Sequence, residues 1–164
     1  MIKIRRNEIP GILQENQQFW TNELYYLINE YGNYKNIPKK DKDKAVNQYR
    51  HRNIAEAVIS LTDGKCVFCE SYIENVDYTN IEHFYPKSLY PKFTFKWSNL
   101  FPSCRKCNIR KGDNDTKNQY PIVHPENNDP EEYFTHHPVN IFLKNQFLYS
   151  IKSDDCIARQ ASVL

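Results

Sequence analysis

Ser103-Cys104-Arg105-Lys106-Cys107-Asn108-Ile109-Arg110-Lys111-Gly112 contains a two-cysteine turn, and the same spacing stands upstream in Gly64-Lys65-Cys66-Val67-Phe68-Cys69-Glu70. Two Cys-x-x-Cys turns offer four thiolates from two knuckles, the soft tetrahedral set that zinc takes in closed structural sites. Four protein sulfurs leave no open position for water, so the metal predicted at Cys66, Cys69, Cys104 and Cys107 is structural. Buried free thiols or a redox pair are the other uses of such turns. Zinc here would close the intervening chain into a loop, and for so small a unit metal binding supplies a large part of the folding free energy. The fifth cysteine, Cys156, is left over and reads as an ordinary buried thiol.

Inside that loop lies Ile81-Glu82-His83-Phe84-Tyr85-Pro86-Lys87-Ser88, followed by Trp97-Ser98-Asn99-Leu100. On a strand, Glu82 and His83 leave on opposite faces, so they divide the labour unless the backbone bends nearby. Cleaving a phosphodiester needs a base that works near neutral pH, which an imidazole supplies. It also needs a hard divalent ion held by oxygen, which Glu82 and the amide oxygen of Asn108 can supply. Lys87, Lys92, Lys96, Arg105, Lys106, Arg110, Lys111 and Lys117 make the same region basic, either as a phosphate-facing surface or as a solvated face.

The order acidic residue-His, Asn-Leu, Cys-x-x-Cys-Asn-x-x-Lys, with a second Cys-x-x-Cys upstream, resembles the HNH or ββα-metal (His-Me finger) nuclease pattern in its His-Asn-Asn form. That resemblance implies His83 as general base, Asn99 as the brace that positions it, Glu82 and Asn108 as ligands of catalytic Mg2+ or Mn2+, and Lys87, Arg110 and Lys111 on flanking phosphates. The common pattern has Asp where this chain has Glu82, and His where it has Asn108; both replacements keep a metal-binding oxygen. Tyr49-Arg50-His51, Gly64 to Glu70, Ile81 to Ser88, Tyr120-Pro121, His124-Pro125 and Asp129-Pro130 resemble, more closely, the PtuB family, the HNH effectors of Septu and retron-associated anti-phage systems. The resemblance implies a PtuA-like ATPase partner, nucleic acid (DNA, or tRNA or another RNA) as substrate, and in a retron setting a reverse transcriptase with its nucleic-acid product. It covers roughly residues 49 to 135 well, and ending at Leu164 reads as a short or truncated member.

The rest of the chain reads as support. With 164 residues, 40% of them hydrophobic, and a mean hydropathy of -0.78, one domain with a real core is the default. A net charge of +2, from 22 basic and 20 acidic residues, says little about partners. Met1 to Arg6 is basic with no apolar run behind it and no segment is long enough to span a bilayer, so the chain reads as cytoplasmic.

Between Pro10-Gly11 and Gly32, the residues Phe19, Trp20, Leu24, Leu27, Ile28 and Tyr31 recur at helical spacing. Their wide aromatic face serves core packing or docks a partner. Tyr34 to Lys44 reads as a linker, and Asn53 to Leu61 as a helix opened by an Asn53/Glu56 capping box. Val67 to Phe84 reads as β-rich, Asn108 to Gly112 as the start of a short helix, and the tail as loop-heavy with a strand near Phe147 to Ile151. His51 reads as a capping or packing residue, Trp97 as a core anchor, and His124, His136 and His137 as surface histidines.

The expected architecture is therefore α+β. It has an N-terminal helical segment (1–48) that docks a partner, a zinc-stapled HNH core (49–119) and a loop-rich extension (120–164). A non-catalytic zinc-ribbon module that binds nucleic acid or tethers a partner accounts for the cysteines and the basic stretch equally well. It leaves the joint occurrence of Glu82, His83, Asn99 and Asn108 without a reason.

Overall fold

The computed structural model of the chain describes residues 1–73, 81–119, 121–137 and 148–151. Helix α1 (Gly11–Tyr31) starts behind Pro10, whose fixed φ suits a helix entry, and stops at Gly32, which takes φ +79°, a conformation that a side chain would strain. Leu13 and Leu24 are buried, with Trp20, Leu27, Ile28 and Tyr31 half-buried beside them. The expected helix and its terminator are both present.

The segment read as a linker is structured instead. A 3-10 turn (Tyr34–Asn36) leads into α2 (Lys39–Val46), and an irregular turn over Asn47–Arg50 follows. Lys39, Lys40, Asp43 and Lys44 of α2 face solvent while Ile37 and Val46 are buried at its ends, so two apolar anchors override a polar composition. Helix α3 (Arg52–Ser60) begins one residue earlier than expected, and the capping box does not form. The Nδ1 of His51 accepts the Asn53 N–H at 3.3 Å in its place, the capping role open to that histidine.

Leu13, Leu24, Val46, Tyr49, Ile54 and Val58 build a helical core that also takes in Ile81, Phe95, Trp97 and Leu100. Trp97 is buried, with Nε1 donating to the Asn7 carbonyl at 3.3 Å, and so serves as the expected core anchor. A second core holds Ile4, Cys66, Val67, Phe68, Phe84, Phe101, Cys107 and Val123.

Between the two cores stands an antiparallel pair, β1 (Ile81–His83) and β2 (Leu100–Pro102), in the register Ile81↔Pro102, Glu82↔Phe101, His83↔Leu100. Cross-strand partners share a face and neighbours alternate. Ile81, His83 and Leu100 therefore look toward the helices, and Glu82 and Phe101 toward the knuckles. Of the stretch read as β-rich, only Ile81–His83 is a strand among the described residues. Lys65 to Ile73 form a tight knuckle joined by a single Lys65↔Tyr72 bridge, because the chain turns back at once, with the Glu70 N–H on the Cys66 carbonyl and the Val67 N–H donated to the Pro102 carbonyl.

Helix α4 (Arg105–Lys111) starts before Asn108, with Cys104 as its N-cap. A last turn, α5 (Pro130–Tyr133), leads into a second antiparallel pair, β3 (Phe134–His137) and β4 (Leu148–Ile151), so the strand expected near Phe147 to Ile151 is present. Tyr120, Pro138, Phe147, Cys156 and the Glu74-Asn75 and Thr79-Asn80 turns lie outside the described residues, as do the side chains of His136 and His137. The architecture is mixed α and β, and no helix among the described residues is long and apolar enough to cross a membrane.

Candidate active site and metal centre

Cys66 and Cys69 ride on the knuckle, Cys104 caps α4 and Cys107 sits in its first turn. The four sulfurs lie within 4.8 Å of one another, with Cys69 and Cys104 3.7 Å apart. A zinc–sulfur bond of about 2.3 Å puts the corners of a tetrahedron about 3.8 Å apart, so the cluster has the size of a metal-thiolate shell. One backbone hydrogen already points at it, the Cys107 N–H donating to Cys104 Sγ at 3.5 Å, while the Cys69 thiol donates to Ser71 Oγ at 3.5 Å. Hydrogen bonding from the neighbouring thiols of Cys107 and Cys66 holds the Cys69 thiol far below its ordinary range, while Cys107 is pushed up in exchange. The thiolate is the form in which cysteine binds metal.

His83 closes β1 with a side chain that is 3% exposed. Its Nε2 stands 2.8 Å from the Thr94 carbonyl, which can only accept, so Nε2 carries the proton and Nδ1 keeps its lone pair. The Tyr49 ring meets the imidazole edge-on at 4.6 Å, and the Lys87 ammonium, itself 5.2 Å from the Tyr49 ring centre, lies 3.5 Å from Nδ1. Burial first, then the charge of Lys87, hold the His83 pKa well below 6.5. The imidazole is therefore neutral at pH 7, with its basic nitrogen beside a cation.

Asn99 ties the loop that carries Thr94. Its Oδ1 accepts the Tyr85 N–H at 2.7 Å, and its Nδ2 donates to the carbonyls of Tyr85 at 3.1 Å and Phe93 at 2.9 Å. The Asn99 carbonyl also accepts the Phe84 N–H at 3.0 Å. One residue thereby fixes both the start of the loop and the stretch that holds His83.

On the other face of β1, Glu82 meets Lys111: the ammonium donates to Oε1 at 2.6 Å, with the two side chains 8% and 1% exposed. Lys111, expected on a phosphate, is thus buried in an ion pair, because Glu82 draws it in from the end of α4. Burial pushes the Glu82 carboxyl up, and Lys111 opposes that shift. Asn108 is half-buried three residues before Lys111, and that spacing puts both on one face of α4. Arg110 is exposed on the same helix.

Glu82 and His83 leave the strand on opposite faces, as alternation requires. The charges of Lys87 and Lys111 nevertheless act on both groups, so the two share one polar neighbourhood at the strand's end. Oxygen donors are what a hard divalent ion takes, and Glu82 on β1 and Asn108 on α4 each carry one.

Other parts of the surroundings were hidden in the sequence. His124 is buried, not on the surface: its ring packs on Phe84 at 4.3 Å and Phe101 at 5.5 Å, and Nδ1 accepts the N–H groups of Glu126 and Asn127. Arg6 lies over the Phe101 ring at 4.5 Å and bonds Glu126 at 2.7 Å and the Leu100 carbonyl at 3.1 Å, clamping β2. Tyr49 carried one signal, its place at the head of the Tyr49-Arg50-His51 stretch.

No family model matches the chain, and no solved structure matches it. Two curated proteins do, both named Septu protein PtuB. One, from Bacillus thuringiensis, is 40% identical over 78 residues, covering 47% of this chain and 30% of its own length. The other, from Bacillus mycoides (strain KBAB4), is 28% identical over 142 residues, covering 77% of this chain and 45% of its own length. The chain spans less than half the length of these curated relatives.

Proposed function

The chain belongs to the PtuB family of Septu proteins, and from that premise we propose that it is a metal-dependent nuclease of the HNH type acting in anti-phage defence. The observation that carries the reading is the bond from His83 Nε2 to the Thr94 carbonyl at 2.8 Å, which leaves Nδ1 as a buried, neutral base. The sequence β1, β2, α4 supports a ββα-metal core around it, and the four thiolates support a structural zinc that fixes α4 against the knuckle.

In this reading Nδ1 of His83 takes a proton from water, and the resulting hydroxide attacks phosphorus in line, giving 5′-phosphate and 3′-hydroxyl ends. Lys87 keeps the imidazole neutral before the reaction and lies close enough to face the phosphate. Asn99 keeps the base in register by holding the loop of Thr94. Glu82 and the Asn108 amide oxygen are the residues that would hold Mg2+ or Mn2+, which when bound stabilises the charge on the leaving oxygen. Arg110, exposed on α4, is assigned to a flanking phosphate.

The partner is a PtuA-like ATPase, in keeping with the Septu relatives. Phe19 and Tyr26, 62% and 67% exposed along α1, supply an aromatic surface in the segment assigned to docking.

The test is cleavage of plasmid DNA and of tRNA by the chain co-purified with the ATPase encoded beside it, with Mg2+ or Mn2+. His83→Ala is expected to abolish cutting while zinc content and circular dichroism stay unchanged. Full activity in that variant would remove the assignment, and binding without cutting under every metal would leave a zinc-bound adaptor.

A further inference from the structure

We propose that Lys111 is a built-in counter-ion for the Glu82 carboxylate, occupying the place of the divalent cation and yielding it when that ion binds. The inference rests on Glu82 being a metal ligand, as read above. A lysine at the end of a short helix has a stem long enough to reach water, and its neighbour Arg110 does so. Lys111 instead turns inward to 1% exposure and places its ammonium 2.6 Å from Glu82 Oε1. Its other bond, to the Gly112 carbonyl at 3.3 Å, is long, so the carboxylate is what holds it.

Burying both groups is costly unless they satisfy each other, and the 2.6 Å bond between two side chains at 1% and 8% exposure does so. A divalent ion on the same carboxylate would sit within a few ångströms of that ammonium and be repelled by it. Entry of the ion requires the lysine to swing out, and metal affinity in the resting chain is correspondingly weak. Lys111 is then a positioning residue: it touches the ligand and not the reacting atoms.

The test uses the zinc-loaded full chain. In the wild type, the buried Lys111 ammonium is expected to give a slowly exchanging 1H–15N signal that disappears or moves on saturation with Mg2+. In parallel, calorimetry with Mn2+ is expected to show Lys111→Gln binding at least tenfold more tightly than the wild type. A Lys111 signal unmoved by saturating Mg2+, an affinity of the Gln variant equal to or below that of the wild type, or no binding in either chain would overturn the proposal. The ammonium signal is read on the unmodified chain, so a Gln variant that fails to fold leaves the test standing. Glu82→Gln separates the two levels of argument. If it binds Mn2+ as tightly as the wild type, Glu82 is not a ligand and the reading of the site itself falls.

Discussion

Asn99 uses every polar atom of its side chain on the loop in front of it, accepting from the Tyr85 N–H and donating to the Tyr85 and Phe93 carbonyls, at 1% exposure. Only a carboxamide combines an acceptor with two donors in so short a side chain. Asn99→Ala leaves one amide and two carbonyls inside the protein without these partners, and about 2–3 kcal/mol of unfolding free energy is expected to be lost. Urea denaturation at pH 7 checks it; a loss under about 0.5 kcal/mol would mean that water replaces the bonds. Asn99→Asp is no milder, since a carboxylate keeps the acceptor and loses both donors. Residue type and spacing pointed to the four cysteines, which the fold gathers into one cluster, and to His83 and Asn99, which it buries. The inward turn of Lys111 and Arg6 was not legible in the sequence. A cation is assigned to the surface by composition, and only the folded arrangement shows that Glu82 and Glu126 draw these two inward.

Two elements control the surroundings of β1 and β2: the capped start of α4 and the turn that begins at His124. The turn is held by Nδ1 of His124, which accepts from the Glu126 N–H at 3.2 Å and the Asn127 N–H at 3.3 Å while the ring packs on Phe84. Protonation at Nδ1 would end both bonds, and burial lowers the pKa from 6.5 to about 4. With the folded pKa depressed, this contribution is fully present above pH 6.5 and is lost as pH falls from 6.5 toward about 4, because the unfolded chain takes up the proton first. His124→Phe keeps a ring in place but removes the acceptor. The variant is expected to be less stable than the wild type at pH 7, and the gap should narrow by up to about 1.4 kcal/mol per pH unit below 6.5. Denaturant curves across that range check it, and parallel curves for the two chains would rule the histidine out as the source.

At this scale legibility depended on which force set the element. Helix α1 declared itself through an apolar period and a terminating glycine. Helix α2 did not, since a Lys/Asp run has no period and only Ile37 and Val46 seat it. The knuckle was misread as strand because Val67, Phe68, Tyr72 and Ile73 have strand-like composition, whereas the cysteine turns decide the backbone there.

Across the molecule, β1 and β2 are a shared wall: Ile81 and Leu100 belong to the helical core, and Phe101 to the core around the knuckles. The two cores differ in what holds them. The helical one is built from aliphatic and aromatic side chains of α1, α2 and α3 that need no ion, while the other counts Cys66 and Cys107 among its own buried members. Structural zinc in small domains contributes about 10–16 kcal/mol, as much as or more than the roughly 5–15 kcal/mol of net stability typical of a domain. Stripping zinc from this chain is therefore expected to act on one half first. Without an ion to tie the four sulfurs together, the knuckle would open, release α4 with Asn108 and Lys111, and leave Glu82 without its counter-ion, while α1 and α3 keep their packing against each other. Far-UV circular dichroism should retain most of its helical signal after chelation. The near-UV signal should fall, and the melting temperature drop by more than about 10 °C, since about 1 kcal/mol shifts a domain of this size by about 2–4 °C. Cys104→Ala, which removes both a thiolate and the cap of α4, should reproduce the chelated spectrum without any chelator. Unchanged melting in both experiments would show that the four sulfurs close the knuckle without metal.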